Sequence, residues 1–215
     1  MNHHAIALAA FAVLLADPPA HAATGKPLKT GQDTSYGAVG DTTAGLKRSC
    51  IDNGLGFVKD QRTGLMWEKK DRSGGIHDRD DKYTWTSGAG DASGTAFSDF
   101  LTTLNSPPCF AGFCDWRLPT RLELSSIVDL GVVGAEDVPM VEPVFEANCL
   151  PGCTVALCSC TDAGTGGGYW TSTTFAGSDN QAWLIGFRTG SPETFGKTNP
   201  LHVRAVRNYI IEEEP

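Results

Sequence analysis

Residues 115–129 constrain this chain more than any other stretch. They contain Asp115, Trp116, Arg117, Leu118, Pro119 and Thr120, followed by Glu123, Leu124, Ile127 and Val128. Pro119 fixes its own φ and forces Leu118 into an extended conformation, so a strand end must run into a stiff turn here. Thr120 is then placed to cap a helix. Glu123, three residues on, completes a capping box in which each side chain satisfies a backbone N–H that the helix start leaves unpaired. Leu124, Ile127 and Val128 follow at helical spacing and give the helix one apolar stripe, with Gly131 as its expected stop. In the same pattern Arg117 has a structural role, pairing with a carboxylate or carbonyls to fix the turn.

The 215-residue chain opens with an apolar run, residues 5–15, too short to span a bilayer. Ala20-His21-Ala22 after it reads as a cleavage signal, so residues 1–22 are expected to be a signal peptide. No later run is long enough for a membrane helix. Export is therefore expected, to the periplasm, the cell surface or the medium. Residues 23–48 are rich in Gly, Thr, Lys and Asp without periodicity and read as a flexible N-terminal arm. Residues 49–209 form the domain, and residues 210–215 an acidic tail.

The formal net charge is −8, or −7 once Asp17 leaves with the leader. Nucleic acid and other polyanions are thereby excluded as general partners, because they need a basic surface. Seven cysteines in an exported chain imply disulfides with one thiol left over. Cys109 and Cys114 enclose a short loop and make one pair. Cys149 and Cys153 are expected to pair with Cys158 and Cys160, since Cys158 and Cys160 are too close to pair with each other. Cys50 is then the odd thiol. A zinc site in the four-cysteine loop is the alternative, but its spacing fits no usual zinc pattern.

Along the domain, residues 57–58 and 65–69 form a β-hairpin and residues 95–105 a helix ended by Pro107 and Pro108. Residues 169–173, 182–187, 195–197 and 203–207 read as closing strands. The charged segment 69–82 reads as a solvated loop, in preference to a cation site on Asp78, Asp80 and Asp81. Residues 131–168 form a long Gly- and Pro-rich loop stapled by cysteines.

Several motifs together resemble one known family. Asp52-Asn53-Gly54 with Phe57, then Thr63-Gly64-Leu65-Met66-Trp67, is similar to its opening hairpin. Phe110-Ala111-Gly112 followed by Asp115 to Thr120, with Glu123-Leu124, is similar to its central signature. Tyr169-Trp170-Thr171-Ser172-Thr173, Ala182-Trp183 and Val203-Arg204-Ala205-Val206-Arg207 are similar to its closing strands. The family is that of the Lcl C-terminal domain, named after the collagen-like adhesin of Legionella, and the resemblance covers roughly residues 51–208. The Arg117-Leu118-Pro119-Thr120 core also resembles the formylglycine-generating, sulfatase-modifying enzymes. The resemblance implies an α+β, C-type-lectin-like domain: two main helices around a twisted, mostly antiparallel sheet with long disulfide-stapled loops. This chain has no collagen-like stalk, and its acidity speaks against carrying over the adhesin's binding of sulfated glycosaminoglycans.

No catalytic set emerges from the residues. Only His77 and His202 survive in the mature chain, neither in a nucleophile-elbow context, and no cofactor motif is present. Cys158-Ser159-Cys160 is the one place where a reactive thiol could serve a sulfatase-modifying activity, and export should oxidise it. Trp67, Trp116, Trp170 and Trp183 read as core, and Trp85 as the surface aromatic. The expected function is a non-catalytic binding or adhesion module for a glycan or other cell-surface ligand. The alternatives are an enzyme of the sulfatase-modifying class and a structural envelope component. The ligand is expected on the long loop, with Glu142, Glu146, Asp162 and Trp85 as candidate contacts.

Overall fold

A computed structural model describes residues 49–88, 90–135, 137–164 and 166–209. The expected signal peptide, arm and acidic tail lie outside these residues. The fold is α+β. Strands β1 (Cys50–Asp52), β2 (Phe57–Asp60) and β3 (Leu65–Glu68) form an antiparallel meander. The last strand among the described residues, β7 (Val206–Asn208), pairs with β3, so the first sheet has the order β1-β2-β3-β7. A second antiparallel sheet has the order β4-β5-β6, from β4 (Gly168–Thr174), β5 (Gln181–Gly186) and β6 (Ser191–Gly196).

Alternation along the strands builds two buried clusters. Phe57 and Met66 of the first sheet meet Trp170, Ala182 and Leu184 of the second in one cluster. Val58, Leu65, Trp67 and Val206 meet Tyr169, Ile185 and Phe187 in the other. Each cluster is covered by one helical element. The first, α1, is wound as a π-helix over Ala96–Leu101 and as an α-helix over Thr102–Asn105; it gives Ala96, Phe100 and Leu104 to the first cluster. The second, α2 (Arg121–Ser125), gives Leu124 to the other. Trp67, Trp116 and Trp170 are core, as expected, but Trp183 is only half-buried: it alternates to the other face of β5, where it meets Arg121 and Phe175.

The central signature ties the sheets together. The backbone of Arg117 exchanges hydrogen bonds with Val206 beside β3, and Pro119 O accepts from Ser172 N of β4 at 2.7 Å. The capping box is present: Glu123 N donates to Thr120 Oγ1 at 3.2 Å and Thr120 N to Glu123 Oε2 at 2.7 Å. Arg117 grips both Glu123 oxygens at 2.8 Å and reaches Asn208 Oδ1 at 2.9 Å. Burial disfavours the charged form of Glu123, but Arg117 and the Thr120 N–H more than offset it and hold its carboxyl below the ordinary value. Helix α2 is shorter than the periodicity predicts. Ser125 Oγ and Ser126 Oγ bond back to Arg121 O (2.8 Å) and Glu123 O (2.6 Å), the local competition that makes serine a poor helix propagator. Ile127 and Val128 are buried beyond its end rather than on its stripe.

Segment 69–82 is a solvated loop only in part: residues 73–75 and 80–82 are exposed, but its root is core. Lys69, Lys70 and Asp71 are almost wholly buried. Lys70 Nζ lies 3.1 Å from Glu68 Oε1, which also meets His77 Nδ1 at 2.7 Å, while Glu68 Oε2 accepts from Ala205 N at 2.8 Å. Burial opposes ionisation of Glu68, yet Lys70, His77 and Ala205 together keep its carboxyl below the ordinary value. Burial likewise lowers Lys70, with Glu68 acting against it. The Asp78 carboxylate accepts from Gly74 N (2.6 Å) and Asp80 N (2.9 Å), so it organises its own loop.

Three disulfides are present: Cys109–Cys114, Cys149–Cys160 and Cys153–Cys158. The last two are nested, and among the described residues Cys50 is the cysteine outside the bridges. Cys153, Cys158 and Cys160 bring their sulfurs close together. All three are in disulfides, which cannot offer the thiolates a zinc site requires. No helix among the described residues is long and apolar enough to cross a membrane.

Candidate functional site

The second sheet has a face that begins as core and ends in the open. Paired residues share a face, so the pairings Trp170↔Leu184, Leu184↔Glu193 and Ala182↔Phe195 place these five side chains together. Trp170, Ala182 and Leu184 are buried. On β6, the edge strand, the same face continues as Glu193 and Phe195, Phe195 lying 44 % exposed. There it forms one side of a depression of about 420 Å³, floored by Leu184 and Leu201 and rimmed by Arg188, Thr189 and Glu193. Its other wall is backbone: Gly164, Gly166, Gly167 and Gly168.

Glycine is required in that wall. A Cβ on Gly167 would collide with Asp162 Oδ1, and one on Gly168 would lie 2.8 Å from Leu184 Cδ1. Gly166 has φ +81° and faces open space, so it presents peptide groups unshielded by a side chain. The wall is anchored from behind. Asp162 Oδ1 accepts from Gly164 N at 3.1 Å and lies 3.3 Å from Nε2 of the buried His202. That contact, chiefly, holds the Asp162 carboxyl below its ordinary value, against burial. Asp162 N donates to Tyr169 Oη at 2.8 Å, and His202 N to Gly168 O at 3.1 Å. The opposite rim is equally fixed, because the turn bearing Arg188 packs on the preceding loop, where Met140 N donates to Phe187 O at 2.6 Å.

The four contacts expected from sequence fare differently. Trp85 is 5 % exposed, not a surface aromatic. Its segment lacks strand pattern but is pinned across the core: Trp85 N donates to Lys197 O at 2.9 Å and Nε1 to Thr171 O at 2.9 Å, with Lys197 Nζ over the ring. Glu146 accepts from Thr161 N at 2.6 Å and has its pKa raised by burial. Asp162 anchors the glycine wall. Glu142 lies half-buried, its backbone bonded to Ile127 and Phe145. The structure does not bring these four together. Cys158 and Cys160, the thiols a sulfatase-modifying reading needs, are each bridged. Arg188, Glu193 and Phe195 do not stand out from sequence. Their signal is present but weak: an exposed alternation beside a short strand, and three consecutive glycines leading into β4.

The sequence profile of the Lcl C-terminal domain matches residues 56–207. The chain belongs to the Lcl C-terminal domain family. The matched span contains both sheets except β1 and the end of β7, all three bridges and every residue lining the depression. No curated protein matches the chain significantly. The Lcl C-terminal domain signature is thus a scaffold signature here: Trp116, Arg117, Pro119, Thr120 and Glu123 hold the sheets and α2 in place rather than lining the depression.

Proposed function

We propose that this Lcl C-terminal domain is an exported, non-catalytic binding module for a glycan or other envelope component, with the glycine-walled depression as its recognition surface. The observation behind the reading is the uncovered continuation of a core face. Leu184 and Leu201 floor it, Phe195 offers an aromatic ring, and Arg188 and Glu193 offer polar groups of both signs. Apolar ground with a few fixed polar groups is the usual make-up of a small-ligand site. Three disulfides suit an oxidising compartment. The long stapled loop is in keeping with a C-type-lectin-like arrangement, and here it supplies the glycine wall through its last residues.

The oxidised protein, applied to a glycan array and to purified cell-envelope material, tests this. Phe195→Ala is expected to lose at least tenfold in affinity and Glu193→Gln severalfold, with an unchanged melting temperature. Binding that survives both substitutions, or turnover of a cysteine-containing test peptide with copper or calcium and oxygen, would overturn the reading.

A further inference from the structure

The two nested bridges are close enough to exchange with each other. The Cys160 sulfur, bonded to Cys149, lies 4.0 Å from the Cys153 sulfur and 4.0 Å from that of Cys158. The four sulfurs therefore form one group rather than two separate staples. Cys158 and Cys160 are 1 % and 0 % exposed, whereas Cys149 and Cys153 are half-buried. A thiol arriving from solvent meets the outer two first. Of these, Cys149 has a cation beside it: Arg79 Nη1 stands 3.9 Å from its sulfur, while the same guanidinium also meets Asp80 and Asp137. An adjacent Arg favours thiolate over thiol, so Cys149 is the sulfur best placed to receive an anionic thiolate and to be left reduced.

The backbone holds the other sulfurs in position when Cys149 is detached. Cys160 N donates to Lys70 O at 2.9 Å, and Cys160 O accepts from Arg204 Nη2 at 2.7 Å. Cys153 O accepts from Arg72 N at 3.2 Å. None of these bonds depends on the Cys149 bridge. A freed Cys160 then has two sulfurs within reach. Cys158 is only two residues away, too close for a relaxed bridge, whereas Cys153 is seven away. Breaking Cys153–Cys158 releases Cys158, and an acceptor for its thiol is already in place, Thr154 O at 3.3 Å from the sulfur.

We infer that the four cysteines form a thiol–disulfide relay, with Cys149 as the entry point for a small thiol and Cys160 as the sulfur that passes the exchange inward. The incoming thiolate bonds to the Cys149 sulfur, the Cys149–Cys160 bond breaks, and Cys160 leaves as thiolate. Cys160 bonds to Cys153, the Cys153–Cys158 bond breaks, and Cys158 takes up the proton that the incoming thiol gave up. One thiol has been consumed and a mixed disulfide stands on Cys149. A second thiol attacks the sulfur of the first, leaves with it as a disulfide, and returns Cys149 to the reduced form. The two small thiols lose two electrons and the protein gains two. Cys160, at the joint with the glycine wall, ends bridged again.

The test exposes the oxidised protein to limiting glutathione under native conditions. Free thiols are blocked with an alkylating reagent, and the remaining cysteines are then reduced and blocked with its heavy-isotope form. Tandem mass spectrometry reads each position, with Cys50 and the Cys109–Cys114 pair scored separately. After two-electron reduction, Cys149 and Cys158 should carry the first label, and Cys153 and Cys160 the second. With Cys153 and Cys158 both replaced by Ala, Cys160 has no bridge to attack, and the first label should move to Cys149 and Cys160. Arg79→Gln should slow labelling of Cys149 severalfold; an unchanged rate would overturn entry beside Arg79. In the unaltered protein, first label on Cys149 with Cys160, or on Cys153 with Cys158, would mean independent staples and no relay. Opening of all four together, or resistance of both bridges until the domain unfolds, would equally refute it.

Discussion

Two consecutive segments of one long loop are made firm by different means. Residues 149–160 are closed by the nested bridges Cys149–Cys160 and Cys153–Cys158. They expose Leu150 and Leu157 at 67 % and 74 %, and are bonded at Gly152, Val155 and Cys160 to residues 70–72 rather than facing the depression. Residues 162–168 contain no cysteine. Hydrogen bonds from Asp162, Gly164 and Gly167 and the contact with His202 hold them instead, and they form a wall of the depression. Covalent closure therefore fixes the segment that does not line the depression, while the segment that does is positioned by buried polar contacts. If the depression is the recognition surface proposed above, density of staples is a poor guide to where such a domain binds, and convergence of an apolar floor with fixed polar groups is a better one.

The joint between the two segments gives the largest expected effect. Arg204 is fully buried, and its Nη2 donates to Cys160 O at 2.7 Å and Thr161 Oγ1 at 2.8 Å while Nη1 reaches Glu68 O at 2.9 Å. Arg204→Met should strand all three acceptors and cost about 3 kcal/mol or more, read by equilibrium urea unfolding of the oxidised protein. A loss below about 1 kcal/mol would show that the two segments are held independently.

Removing the inner staple separates them next. Replacing Cys153 and Cys158 together by Ala should cost about 2 kcal/mol, as expected for a short closed loop. Sugar affinity at the depression should not change. If affinity fell in step with stability, the bridged segment would belong to the binding surface and the contrast would fail.

Acid should act the other way round. Asp162 is held below its ordinary value of 3.8 by His202. Its stabilising contribution is complete above that value and disappears as the pH falls through the lower folded one. Hydrogen exchange at Gly164 and Gly167 should accelerate over that range more than at Ala147 and Ser159, whose mutual backbone bonds close the bridged segment. Glu68 behaves with the same sign around its ordinary value of 4.5, so global melting temperature should fall in acid as well. Equal acceleration in both segments would mean that Asp162 has no local part in the wall.

The smallest effect belongs to the scaffold. Thr120→Ala should cost about 1 kcal/mol in denaturant unfolding, the usual loss for an N-cap, and leave the depression untouched. A change indistinguishable from zero would assign the capping to Glu123 and Arg117 alone.

Much of the scaffold was legible because its signals are local. The β2–β3 hairpin, the Thr120–Glu123 box and the Cys109–Cys114 pair each depend on residues within a dozen positions of one another. The burial of Arg204 was not, since its Nη1 partner lies 136 positions away at Glu68; nor was that of Lys70, whose neighbour Glu68 is itself fixed by Ala205 N from 137 positions away. Charge in a Gly-rich segment looks solvated until the distant partner is known. Trp85 misled for the same reason: its tethers are Thr171 and Lys197. In the candidate site, the glycine run was visible, but the floor was not. Leu184 and Leu201 have the composition of ordinary core, and only the missing cover over β6 distinguishes them.

That missing cover has a cost which the sequence of β6 answers. An uncovered edge strand offers its backbone to any passing chain, and identical modules crowded on an envelope would be apt to zip into sheets. β6 has Pro192 at its second position and charged Glu193 at its third. Proline withholds a donor from an incoming strand, and the carboxylates of two facing copies repel each other. The edge can therefore stay open to a small ligand while remaining a poor template for polymerisation.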